Sequence, residues 1–206
     1  MRFFDSAARH ERKLQRLQDR ADDYGARAMT LLRAGHAEEA VQPSRQAIET
    51  ILRLRRLEPG NQAHLAQLAS KLYNHSAILD HAEHGPEAVA VARHAYEAYL
   101  ELSGGEINPQ VATLDRIIPR RVPINAGSAV PDLATAAAFT ADAKSRLAFM
   151  LAKWGGPDAA AEARRLATEA VDTYQHLTNL GTAGSDDFLR VVTRYDQVCR
   201  LLEARE

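Results

Sequence analysis

Apolar residues recur along most of this chain with a helical period. Leu14, Leu17, Ala21, Tyr24, Ala28 and Leu31 step by three and four, which draws one packed stripe along a helix. Phe188, Val191, Tyr195, Val198 and Leu202 draw a similar stripe near the other end. Glycine and proline fall in clusters between the periodic runs. The pattern predicts seven helices, over about 6–33, 38–57, 62–82, 87–102, 132–153, 158–178 and 185–204. Ser185-Asp186-Asp187 reads as a capping sequence for the last of them. Pro43 falls inside the second and removes a backbone donor, which predicts a late start or a bend there.

Three stretches, beginning at Ala28, Ser76 and Ala148, match column by column without gaps. Ala28, Ser76 and Ala148 form a column of small residues; Leu31, Leu79 and Leu151 form a bulky one. Ala40, Ala88 and Ala160 form a third column, and Ala47, Ala95 and Ala167 a fourth. Every column is offset by 48 and then 72 residues, so the extra 24 belong to an insertion between units. In each unit a helix ends near a glycine (Gly35, Gly85, and Gly155 or Gly156) and a second helix follows. Pro86 and Pro157 stand where a first helical turn tolerates proline. Small columns let paired helices approach closely, and the leucine column fills the space between pairs.

This pattern resembles the tetratricopeptide repeat. The first unit reads Tyr24, Ala28, Leu31, Gly35, Glu39-Ala40 and Ala47; the second reads Leu72, Ser76, Leu79, Gly85-Pro86-Glu87-Ala88 and Ala95. The third reads Ala148, Leu151, Gly155/Gly156, Ala160 and Ala167, with Lys144 where a bulky residue is usual and no Glu before its alanine. The offset of 48 exceeds the usual repeat of about 34 and is similar to the long repeats of kinesin light chains. The resemblance implies an all-α fold, a right-handed α-solenoid of antiparallel helix pairs in a single domain. Its units cover about 20–60, 62–103 and 132–180, with a terminal helix at 185–204 and one irregular insertion at 103–131. The alternative is a helical bundle without repeats.

Composition narrows the function. Lys and Arg number 26 against 27 Asp and Glu, so the basic excess of a general nucleic-acid or membrane binder is missing. One cysteine, Cys199, excludes an intramolecular disulfide and a cysteine-based metal cage. The start turns charged within ten residues and no stretch approaches a spanning length, which gives the expectation of a cytoplasmic protein. High Ala, Arg and Leu usage suggests a GC-rich bacterial genome. No phosphate-binding loop, dinucleotide fingerprint or nucleophile elbow is present, so no cofactor and no enzyme activity are expected.

Several residues nonetheless invite chemistry. His81 and His84, with Asp80, Glu83 and His75 nearby, have the spacing of two metal ligands on one helix face, although helix-end histidines commonly serve terminal carbonyls. Cys199 reads as a small buried hydrophobe. The basic runs Arg9 to Arg20 and Arg53 to Arg56 read as solvated faces, with an acidic partner or RNA as the alternative. The insertion is too apolar for a flexible linker. It is expected to pack back on the solenoid, either as structure or as part of a partner site through Arg116, Arg120 and Arg121.

In repeats of this kind the first helix of each pair lines the concave face. The resemblance therefore implies groove positions at Met29 and Arg33, at Tyr73, Asn74, Ala77 and His81, and at Arg146, Phe149 and Lys153. Arginine and lysine would pair with carboxylates, and tyrosine and phenylalanine would supply rigid anchors. The expected function is a non-catalytic module that binds a protein or peptide partner with acidic groups. Two alternatives stand beside it. One is a self-associating scaffold, a homodimer built on Phe188, Tyr195 and Leu202 of the terminal helix. The other is an enzyme or small-molecule sensor in the groove, with His75, His81 and His84 as candidates.

Overall fold

A computed structural model describes residues 2–104 and 133–205, with side chains from residue 8 and residue 134 onward in the two stretches. The described residues form seven helices and no strand. They are α1 (Arg2–Arg33), α2 (Ala37–Leu57), α3 (Gln62–His81), α4 (Gly85–Leu102), α5 (Leu133–Trp154), α6 (Ala159–Asn179) and α7 (Ser185–Glu203). Each packs on the next in sequence, and the whole is a helical solenoid. Arg116, Arg120 and Arg121, with the expected packing of the insertion, lie outside the described residues.

The repeated columns are where the helices touch. Ala28, Ser76 and Ala148 are sealed from water, as are Ala47, Ala95 and Ala167. Ala40 and Ala88 are sealed too, while Ala160 stays partly exposed at the edge of the core. Residues with no more than a Cβ or a hydroxymethyl group let paired helices close to short range. Leu79, Met150, Leu151 and Leu166 then fill the gaps between pairs in one continuous core.

Helix ends follow backbone chemistry. Gly35 adopts a left-handed conformation (φ +83°); its N–H donates to the Leu32 carbonyl, and the His36 N–H donates to Leu31. These two bonds close α1. The matching bonds close α3, from Glu83 to Asp80 and from His84 to Leu79. There the left-handed residue is Glu83 (φ 61°), a costly choice for a side chain. Gly85, expected to end this helix, instead opens α4. A Cβ at Gly85 would stand 2.5 Å from the Trp154 ring, so the glycine is displaced to make room for an indole from the next unit.

Two other local expectations change. α2 starts at Ala37, without the late start expected from Pro43, which is buried inside it. Its missing N–H deprives the Glu39 carbonyl, and Glu39 is exposed, so water can serve that group. At α7 the N-cap is Gly184 and no side chain caps it. Asp186 and Asp187 lie in the first turn, where their negative charge interacts favourably with the positive end of the helix dipole.

The two sides of the stack differ in spacing. The α5 and α7 backbones pack directly and α3 also meets α5. On the other side α2, α4 and α6 are bridged by long side chains. Arg45 reaches Glu87 at 2.9 Å, and Arg93 holds both carboxylate oxygens of Glu162 at 2.8 and 2.9 Å. The first helices of the pairs, α1, α3, α5 and α7, form one face of the stack, the inner face, which is tightest from α3 to α7.

Candidate functional site

The inner face divides into two parts on either side of α3. The first is a cleft of about 410 Å³ between α1 and α3. Its floor is Ala28, Ala47, Ile78 and Ser44, all buried, and its walls include Met29, Thr30 and Asn74. At its rim Lys71 reaches Asp22 at 3.1 Å and lies across Gly25, where a Cβ would stand 2.7 Å from the ammonium nitrogen. That pair neutralises itself. Arg33, also at the rim, is exposed.

The second part lies where α3, α5 and α7 converge. Tyr73 of α3 lies under the Arg146 guanidinium, 5.0 Å from its ring centre. The Arg146 Nε is buried and has no hydrogen-bond acceptor. Arg194 of α7 donates to Ser145 Oγ at 3.0 Å and to Asp142 Oδ1 at 3.2 Å, with the Tyr73 hydroxyl at 3.5 Å. Arg190 lies 3.5 Å from the same Asp142 oxygen and 3.2 Å from Asp187. Three guanidiniums thus face two carboxylates. Arg190 and Arg194 are committed to them, and Arg146 has no acidic partner among the described residues.

The other implied groove residues are placed less openly. Lys153 donates to Asp80 Oδ1 at 2.8 Å, and the Trp154 indole N–H donates to the same oxygen at 2.7 Å. Asp80 is buried, so Lys153 and Trp154 bolt the α3–α4 turn to α5. Phe149 is half-buried against the main core, and His81 is exposed at the end of α3. The structure therefore brings Arg33 and Asn74 to the cleft and Tyr73 and Arg146 to the second part. Lys153 is spent on structure.

The candidate chemistry elsewhere is similarly occupied. His84 turns to Glu38 of α2 at 3.0 Å rather than towards His81, and among the described residues no three groups converge as metal ligands. His75 is buried with Nδ1 unpartnered; loss of hydration brings its pKa down to about 4, the nearby Glu87 resisting the fall and Arg45 adding to it. Cys199 is half-buried beside Tyr195. No helix among the described residues is long and apolar enough to cross a membrane.

Sequence reasoning missed Asp22, Lys71, Asp142, Ser145, Arg190 and Arg194. A signal for part of this existed. Asp22, Ser70 and Asp142 form another column with the same offsets, one turn before the groove positions that were followed. Arg190 and Arg194 lie on the terminal helix, which falls outside the three stretches whose columns match. No protein-family model matches the chain, and no curated protein is detectably similar to it in sequence.

Proposed function

We propose that this chain is a non-catalytic interaction module, of the tetratricopeptide kind, that holds a segment of a cytoplasmic partner protein along its inner face. The observation that carries this reading is Arg146. A partly buried guanidinium, stacked on an aromatic ring and lacking an acid, is an arrangement completed by an anionic group from outside. The open cleft beside it supplies room for a side chain. His75, the histidine with the displaced pKa, does not line that cleft, which weighs against a groove built for acid–base chemistry. Self-association through the terminal helix is disfavoured because Leu202 is buried and Phe188 and Tyr195 pack against the core.

Affinity capture from the cells that make the protein tests this. Arg33→Glu with Arg146→Glu should remove the captured partner, while Arg45→Glu and Arg164→Glu on the opposite side should keep it. Capture that is indifferent to the inner pair and lost with the outer pair would place the partner elsewhere.

A further inference from the structure

The inner face is specific about what it can accept, because its two parts sit at a fixed separation on one helix. Asn74 and Tyr73 are neighbours in α3. Lys71, Asn74 and Ile78 turn one stripe of that helix to the cleft beside α1, while Tyr73 turns another towards Arg146. The crest between them is Ser70, Ala77 and His81; Ser70 and His81 are exposed and Ala77 is half-buried. A chain lying across the crest spans one helix width, about 10 Å, which an extended peptide covers in about three residues.

Charge decides the anion. Three arginines against Asp142 and Asp187 leave one positive charge at the second part. A carboxylate matches one charge; a phosphoryl group carries about two at neutral pH and would leave an excess of negative charge. Arg33 at the cleft is exposed, so any pairing there is screened and adds little. The cleft has a floor of Ala28, Ala47, Ile78 and the buried Ser44, with Met29 as an apolar wall and Thr30 and Asn74 as polar ones, and its own acid is cancelled by Lys71.

We infer that the furrow recognises an extended segment bearing a large apolar side chain and a carboxylate three positions apart. The apolar group fills the α1–α3 cleft, and the carboxylate pairs with Arg146 over Tyr73. This rests on the reading of the inner face as a partner site and adds a spacing rule to it.

Fluorescence anisotropy with labelled ten-residue Gly–Ser peptides, each carrying one Leu and one Glu, tests the rule directly. A separation of three positions should bind at least 10-fold more tightly than separations of one or six. Arg146→Gln should lose at least 10-fold, with Arg146→Lys intermediate because it keeps charge but not the stacked plane. Ala26→Trp at the cleft should weaken the Leu–Glu peptide and leave a Glu-only peptide unchanged. Circular dichroism of each variant secures the comparison against misfolding. Phosphoserine in place of Glu should bind no more tightly. Affinity independent of spacing, indifference to Arg146→Gln, a 10-fold gain from phosphoserine, or no binding by any peptide overturns the inference. The general partner reading fails separately, when inner-face substitutions leave capture of the cellular partner intact.

Discussion

Single residues in this protein show where backbone geometry and chemistry disagree. Glu83 occupies the left-handed position that Gly35 fills in the preceding unit. Such a conformation costs a residue with a Cβ on the order of 1 kcal/mol or more. Glu83→Gly should therefore stabilise the fold by about 1 kcal/mol, less the entropy that glycine gains on unfolding. For a chain of this size the thermal midpoint should hold or rise, by at most roughly 2–4 °C, and a clearly lowered midpoint would mean that the turn is not strained. His75 makes a pH-dependent contribution. Its folded pKa is about 4, below the ordinary value of 6.5. The unfolded chain takes up a proton first as pH falls. The stability that His75 lends is complete above pH 6.5, is lost progressively towards pH 4, and amounts to at most about 3 kcal/mol. Urea denaturation across that window should show the loss, and His75→Leu should flatten it. Glu58 and Glu162, whose pKa values are lowered by hydrogen bonds from Asn61 and His64 and from Arg93, add their own losses only below about pH 4.5.

Whole helices are joined by volume as much as by hydrogen bonds. Gly85 and Trp154 interlock, and Asp80 accepts from both Trp154 and Lys153. Gly85→Ala should cost roughly 1–3 kcal/mol as the ring is displaced, and Trp154→Leu in the same chain should recover part of that loss. A double-mutant cycle showing simple additivity would remove the interlock. The alanine columns offer a graded comparison. Ala88 is sealed, so Ala88→Leu overpacks the α3–α4 pair and should cost about 1–3 kcal/mol. Ala160 is partly exposed, so Ala160→Leu should cost distinctly less. Equal penalties would argue against the packing assigned to this column.

For the molecule as a whole, the sequence carried the architecture because the columns that define it are themselves the packing contacts. Ala28, Ser76 and Ala148 repeat because each lies where two helices come closest, and a larger residue would hold them apart. Helix bounds were legible within a residue or two apart from the start of α1, since periodicity and turn chemistry are local. The displaced glycine was not legible as a packing feature, because Trp154 is 69 positions further along and nothing local announces their contact. The site was legible in part for the same reason. Arg33, Tyr73, Asn74 and Arg146 follow from repeat columns, whereas the commitment of Lys153 to Asp80 and of Arg194 to Asp142 depends on partners from distant helices. The terminal helix reads differently once folded. Its apolar stripe is used internally, and its exposed positions Thr193, Asp196, Gln197, Arg200 and Glu203 are polar, which leaves Leu189 as a single exposed apolar side chain on that helix. Light scattering should accordingly give a mass that does not grow with concentration; a concentration-dependent dimer would restore the scaffold alternative.

The inner face as the place where another chain is held is tested most directly by position-resolved photo-cross-linking in the cells that make the protein. Photoreactive residues at Met29 and Ala77, on the inner face, should trap a partner segment. The same residues at Leu52 and Arg164, away from that face, should trap none. Cross-links confined to Leu52 and Arg164, with Met29 and Ala77 silent, would contradict the account.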